Sequence, residues 1–572
     1  MSSTVARFIE ASDGDHATTL AGVVAAAANV IGVDVEFMID GASVPPDREV
    51  AAVEIGEGLV SEAHLLPGAV REALLSPQAR RGGGVHHTPF AVAETIVELA
   101  WPADEPKVVA DPSTGGGVFL LAAAQRMAGT RAEVVDRLIG CDIDPLAVAT
   151  TEAAIALWSG GVSPSPGAIR VADFLQDDPF AGLTPDLVVG NPPFLSQLRA
   201  RTARGQGSRA GLSGRWPGIG GYVDEAVLFM VAATELVSPG GTVALVQPTS
   251  ALSARDASTA RAMLDELAPP VSFWWSRERV FSAAVDACAV VCRRRSSERS
   301  VKRSLGCPPK PVDDCPRPSS VSWSPLLAGM ADLPEIRHNF ESGDLLASLA
   351  STTAGFRDQY YGLRKAVVDD PGGSNRLITA GLIDPLSNRW GEATCRYDRR
   401  EWKSPCVRLE RIDAELRHWF GQRLRPKLLV ATQTRLLEVV VDPDGTMIPS
   451  TPVVVVEPDD DDMIWHLAAA LCAPATSARL VTSAAGSGLS RDAVRVSATA
   501  LSEVALPVPG PEWDAAATAV KALHEAGGAA GHVDDLLAVA KLCDAAYGTE
   551  DPRLSEWWAA RLPPRLVLAG PK

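Results

Sequence analysis

The chain has 572 residues, of which 46% are apolar and 22% charged, and a formal net charge of −17. That length is too great for one core and calls for two or three domains of ordinary globular composition. No run of about 18 or more consecutive apolar residues occurs, so no membrane-spanning helix is expected, and the acidic balance argues against nucleic-acid binding by net charge alone.

The opening stretch, "MSSTVARFIEASDGDHATTL", has no basic segment leading into an apolar run, so a secretory signal is not expected. Residues 1–80 are Ala-rich and hold 12 acidic against 4 basic residues, a net of −8. They read as a helical N-terminal region. Nine cysteines are scattered without CxxC pairs, and no second pair or histidine cluster answers Cys288 and Cys292. Reduced thiols in a cytoplasmic protein, with no metal site, are therefore expected.

"GVHHTPFAVAETIVELA" (84–100) reads as a helix entry, with Thr88 as N-cap and Pro89 at the first helical position. Ala93, Ile96, Val97 and Ala100 form its buried stripe. His86 and His87 precede it in a loop. Then "KVVADPSTGGGVFLLAAAQRM" (107–127) reads as strand, glycine loop and helix. Gly115, Gly116 and Gly117 allow a sharp turn and close approach of backbone to a ligand, and the following helix offers free N–H groups. Asp111 at the strand tip would repel a phosphate but welcome a ligand carrying positive charge. No GxGxxG or GxxxxGK[ST] is present, which disfavours NAD and ATP.

The next strand ends at "GCDIDP", with Asp142 placed to accept from ribose hydroxyls, 31 residues after Asp111. Asp144, just before Pro145, ranks lower for that role. A third strand ends at "VADFL", where Asp173 can bond an exocyclic adenine amine and Phe174 can pack on the ring. Each Asp read singly could also be a helix cap. Three acids at successive strand tips, on the edge where such sheets bind ligands, favour a ligand site. A fourth strand runs into "VVGNPPF", where consecutive prolines stop the strand and hold Asn191 rigid. Further strands are expected at 241–248, 272–276 and 287–294. The alternation implies a mostly parallel sheet with helices on both faces.

Residues 195–220 hold five arginines (Arg199, Arg201, Arg204, Arg209 and Arg215) and no acid, a basic loop suited to phosphates or simply a solvated one. Residues 296–320 are rich in Ser, Pro and charge, and read as a linker over 299–320. Beyond it, "KLLVATQT", "LEVVVDPDG" and "TPVVVVEP" look like strands, while "DMIWHLAAALCA" and much of 511–560 look helical. Residues 386–435 hold 12 Lys/Arg against six Asp/Glu, and "GFRDQYYGL" and "RYDRREWK" mix aromatics with arginines.

These pieces, in this order, resemble the gamma-class, TaqI-like amino-group DNA methyltransferases. The resemblance covers about 85–295 and, more weakly, the C-terminal region. It implies a class I S-adenosylmethionine-dependent α/β fold with a seven-stranded Rossmann-like sheet. After the helical region over 1–80, it implies a catalytic domain over 81–298 and a mixed α+β target recognition domain over 321–572. The TP segment (Thr88, Pro89), the DPxxGxG-like loop (Asp111, Ser113, Gly115, Gly117), the acidic Asp142 with Ile143 beside it, and Asp173 with Phe174 would bind S-adenosylmethionine. "PSTGGG" stands where the family commonly has "PACGSG". Asn191, Pro192, Pro193 and Phe194 match NPP[YF]. There Asn191 and the Pro192 carbonyl would activate the exocyclic amine of a flipped base, with Phe194 and Phe281 stacking on the ring. The implied activity is site-specific N6-adenine methylation of duplex DNA, with cytosine N4 as the other amine target. A restriction-modification or phage-defence setting follows, with a separately encoded restriction or defence subunit as partner and no membrane. A protein-glutamine N5-methyltransferase and a catalytically silent DNA-binding subunit are the alternatives. No convincing PD…(D/E)xK nuclease segment is seen.

Overall fold

The computed structural model describes residues 1–75, 88–194, 215–219, 223–278, 280, 286–331, 343–354, 360–450, 452–483, 494–529, 532–549 and 551–567. Of the expected site residues, Phe281, Arg199, Arg201, Arg204 and Arg209 lie outside them, as do His86 and His87. The chain divides into two compact units, Met1–Met330 and Ala331–Lys572.

The first unit is built on strands β1 (Val109–Asp111), β2 (Leu138–Asp142), β3 (Ile169–Val171), β4 (Leu187–Gly190), β5 (Thr242–Pro248), β6 (Pro270–Trp275), β7 (Ala287–Arg293), β8 (Ser300–Leu305) and β9 (Lys310–Pro316). All seven strands expected between 107 and 294 are present. The order across the sheet is β3-β2-β1-β4-β5-β7-β6-β8-β9. Strands β1 to β5 run parallel to one another, and β7 is antiparallel to both β5 and β6. Every residue of β4 and β5 is buried. Such near-continuous apolar runs are what a strand covered on both faces requires. Among the covering helices are α4 (Phe90–Ala100), α5 (Val118–Arg126), α6 (Pro145–Ser159) and α7 (Glu225–Leu236). The stripe Ala93, Ile96, Val97 and Ala100 is buried in the same core as β1, β4 and β5.

Two sequence expectations change here. Residues 299–320 are not a linker: β8 pairs in parallel with β6, and β9 closes antiparallel on β8, so the sheet has nine strands rather than seven. The misreading has a physical cause. An outermost strand carries prolines and charges to prevent further pairing, and "KPVDDCP" in β9 does so. The same residues out of context resemble a linker.

The N-terminal residues form α1 (Ser2–Ala11), α2 (His16–Ile31) and α3 (Leu66–Leu74). Their apolar faces, including Leu20, Val23, Val24, Leu66 and Val70, pack on Ala149, Ala153 and Leu157 of α6. This region therefore shares a core with the sheet domain instead of standing apart at residue 80.

The second unit has two four-stranded sheets. One has the order β10 (Ala350–Ala354), β19 (Val453–Pro458), β16 (Lys427–Ala431), β17 (Glu438–Asp442). The other has the order β11 (Val367–Asp369), β15 (Pro405–Val407), β12 (Arg376–Ile378), β18 (Met447–Pro449). A separate hairpin joins β13 (Cys395–Tyr397) and β14 (Arg400–Trp402). Helices α9 (Ile464–Cys472), α10 (Pro511–Glu525) and α11 (Val533–Ala546) cover the first sheet through one apolar core; α8 (Ser258–Leu267) belongs to the first unit. Inside the second unit, Lys427 Nζ lies 2.6 Å from Asp442 Oδ2, both side chains 1% exposed. Asp442 also accepts from the Thr446 and Met447 amides. Removing one partner strands a buried charge. Lys427→Met should destabilise this unit by about 3 kcal/mol, read as a lower denaturant midpoint of its unfolding transition.

Candidate active site

Strand β1 ends at Asp111, 1% exposed. Its Oδ1 accepts from the Ser113 amide at 2.9 Å, and its Oδ2 is buried with no hydrogen-bond partner among the described residues. Burial pushes this carboxyl up to about 8, opposed by the Ser113 N–H and assisted by the charge of Asp142. The Ser113 and Thr114 hydroxyls beside it are likewise buried without partners. Gly115 (φ +55) and Gly117 (φ +80) take left-handed backbone that side chains rarely adopt. The loop they form delivers the Gly115 amide to Asp142 Oδ2 at 2.9 Å, at the tip of β2. Asp142 Oδ1 accepts from the Asp144 amide at 3.0 Å. Burial raises the Asp142 carboxyl, and Arg71 and the two backbone donors offset part of that rise. Ile143, next along, is 61% exposed, an apolar side chain held out at the strand ends.

Asp144 has a different task, which explains why Asp142 is the acid left at the tip. Its Oδ1 caps α6 through the Leu146 amide at 2.9 Å, and its Oδ2 meets Arg71 Nη2 at 2.5 Å. Arg71, from α3, is 8% exposed. On the same helix, Gly68 touches the glycine loop: a Cβ built on Gly116 would stand 2.6 Å from the Gly68 Cα. Neither Arg71 nor Gly68 could be picked from the sequence, because their partners lie 73 and 48 residues away in the chain and no local pattern links them.

At the third tip, Asp173 Oδ1 accepts from the Leu175 amide at 3.1 Å and its Oδ2 from Gln176 Nε2 at 2.6 Å. The turn-capping role read for a single Asp is thus present alongside its half-exposed place at the edge. Phe174 is 5% exposed and packs on Phe229 and Phe180, with ring centroids 5.3 and 5.9 Å away. Its ring belongs to the wall of the core more than to an open surface.

β4 ends at Gly190, immediately before Asn191. A Cβ at Gly190 would lie 2.6 Å from Asp111 Oδ1, so only glycine lets the fourth strand run past the buried acid. Asn191 Nδ2 donates to Thr88 Oγ1 at 3.0 Å. This corrects the expected cap: α4 starts at Phe90 with Pro89 at its N-cap and no side-chain cap bond. The Thr88 hydroxyl, 4% exposed, is spent on orienting the Asn191 amide. Pro192 is buried, and Phe194 is half-buried against the apolar core of the sheet. Arg215, expected at a phosphate, is exposed and has partners within its own domain. It bonds Glu235 at 3.1 Å, lies 4.6 Å over Trp216 and reaches the Leu175 carbonyl. Glu235 also takes the buried Trp216 Nε1–H at 2.8 Å, so this cluster holds the end of the basic segment in place.

Strand order β3-β2-β1-β4-β5-β7-β6, with β7 reversed and the glycine loop after β1, defines the class I S-adenosylmethionine-dependent methyltransferase fold. Residues 65–266, a stretch that begins just before α3 and ends in α8, match the model of the N-6 DNA Methylase family. A segment of 113 residues is 30% identical to the methylase subunit of the type I restriction enzyme MjaIX of Methanocaldococcus jannaschii, covering 20% of this chain and 19% of that subunit. The match thus spans about a fifth of that curated relative. Among solved structures, the type IIL restriction-modification enzyme MmeI in complex with DNA superposes with a TM-score of 0.57 at 14% identity, over 98% of this chain and 92% of that one. The DrdV–DNA complex gives 0.51 at 11% identity, over 83% and 61%. Likeness at such identities is likeness of fold.

Two outcomes follow from the site's packing. Gly190→Ala should cost the first unit about 1–3 kcal/mol through overpacking against Asp111, read as a lower melting temperature. The second concerns pH. Asp111 keeps its proton in the folded state up to about 8, whereas the unfolded chain releases it near the ordinary value of 3.8. The folded state therefore binds the extra proton between these limits, and stability falls as pH rises through that window. Asp111→Asn should flatten this part of the pH–stability curve of the ligand-free protein, with the difference from the parent largest near pH 8.

Proposed function

We propose that this chain is a DNA adenine N6-methyltransferase of the gamma class, which uses S-adenosylmethionine and acts on a base flipped out of duplex DNA in a restriction-modification or defence setting. One observation carries the reading: the Asn191 amide, at the tip of β4, is oriented by Thr88 and separated from the buried Asp111 carboxyl by a single glycine.

The residues present suit the cofactor. The buried Asp111 and half-buried Asp142, both with raised pKa values, are in want of positive charge, and among the described residues Asp111 Oδ2 and the hydroxyl oxygens of Ser113 and Thr114 have no partner. Asp111 and Ser113 would hold the ammonium end, Asp142 the ribose hydroxyls, and Ile143 the adenine face. Asp173 and the Thr88–Pro89 segment would flank it. Bound there, the cofactor supplies an electrophilic methyl on a sulfonium.

The chain's part in the reaction is positioning. An exocyclic aromatic amine is a weak nucleophile because its lone pair is delocalised into the ring. With Asn191 Nδ2 tied to Thr88, the amide oxygen is turned the other way, as an acceptor for one amino hydrogen, and the Pro192 carbonyl would take the second. Two fixed acceptors localise the lone pair on nitrogen without a strong base. Pro192 and Pro193 keep them from relaxing. The Phe194 ring would support the flipped base from one side. Cytosine carries the same kind of amine, so the modified base has to be read directly.

Asn191→Ala should lower methyl transfer to plasmid DNA by at least ~100-fold while leaving cofactor affinity within a few-fold of the parent. Single-molecule sequencing of treated plasmid would identify the methylated base and its motif. Full-speed methylation by the variant, or methylation of a release factor in place of DNA, would overturn the reading.

A further inference from the structure

The hairpin of β13 and β14 stands outside both four-stranded sheets of the second unit. Its register pairs Cys395 with Trp402, Arg396 with Glu401 and Tyr397 with Arg400, which leaves Asp398 and Arg399 as a two-residue turn. Both have positive φ, +49° and +61°. That is the primed turn which matches the twist of paired strands, and it usually calls for Asn-Gly or Gly-Gly. Asp tolerates the conformation moderately well; arginine does so poorly. Non-glycine residues in left-handed backbone cost free energy, and such strain persists where the surroundings impose it.

The surroundings here do impose it. Asp398 is clamped by Arg364 Nε at 2.6 Å, from the segment that follows the helical turn Tyr360–Leu363. At the root of the ribbon Cys395 is buried, and next to the turn Tyr397 is buried too, its carbonyl accepting from Trp402 Nε1 at 3.0 Å. Root and tip are therefore both fixed. What the ribbon shows to solvent is basic: Arg396, Arg399, Arg400 and Lys403 are exposed, against one exposed acid, Glu401. Tyr361 beside the clamp is 74% exposed.

We propose that this ribbon is a DNA-reading element of the second unit, with Arg399 at its strained tip contacting a base edge and Arg396 and Arg400 contacting phosphates. The inference rests on the function proposed above. A two-stranded ribbon fits the major groove of B-DNA. A phosphate contact needs only charge, which a flexible loop supplies. A base contact needs a side chain aimed from a fixed backbone, and an arginine in a clamped turn is so aimed. Its planar fork matches the O6 and N7 acceptors of guanine.

The test uses the full chain, methylation of plasmid DNA mapped by single-molecule sequencing, and binding to the mapped duplex across a salt series. Arg399→Ala should lower kcat/KM on the mapped site by about tenfold or more and relax the preference at one base pair. Arg399→Lys should not restore that preference, because the fork is lost. The double variant Arg396→Ala/Arg400→Ala should weaken binding to mapped and unrelated duplexes alike and reduce the salt slope by about one per lost contact. Melting temperatures close to the parent's would show that each variant folds. If the parent methylates DNA and Arg399→Ala does so at the same sites and rate, the ribbon proposal falls while the function stands. If the parent neither binds nor methylates DNA, both fall together.

Discussion

Asp111 lies at the end of the central strand with its carboxyl out of water and one oxygen without a donor. Isolating a charge in this way is expensive, and proteins avoid it unless something returns the cost. Around this one group the site is arranged. The glycine loop bends over it, Gly190 makes room for it, and the fourth strand then presents Asn191 a single residue further on. A carboxyl that holds its proton until a cation arrives, next to a rigid amide acceptor, suits the methylation of an amine. It would suit a phosphate-transfer enzyme badly, because the acid would repel the substrate.

The acidic N-terminal region takes part in this arrangement. Helix α3 sends Arg71 to Asp144, and Asp144 in turn caps the helix that follows the ribose-side strand. Gly68 and Gly116 meet backbone to backbone. The conformation of the glycine loop thus depends on a residue 48 positions upstream, and the family match begins at residue 65. A cut at residue 80 would remove one wall of the site. Thr88 likewise does something other than its local sequence suggests. Before a helix that opens with proline, a threonine looks like a cap, yet its hydroxyl accepts from the Asn191 amide.

The charge of the chain makes sense only locally. A net of −17 is spread so that much of the acidic excess lies in the first 80 residues, while basic residues gather in two stretches. Of the first stretch, Arg215 pairs with Glu235 and stacks on Trp216 while remaining exposed. In the second stretch, Asp398 and Arg399 form a turn in left-handed backbone, where non-glycine residues are strained.

The alternation of apolar runs with helical stretches was enough to locate all seven strands between 107 and 294, and the residues at their tips were enough to name Asp111, Asp142, Asp173 and Asn191. Both follow from short-range rules: period, glycine turns and proline stops act over a few residues and can be read in line. The sequence could not say that residues 299–320 extend the sheet, that Thr88 faces Asn191, that Arg71 meets Asp144 or that Gly190 is shaped by Asp111. Those are pairings across tens of residues, set by which strand lies beside which, and the chain reveals them only once it has folded.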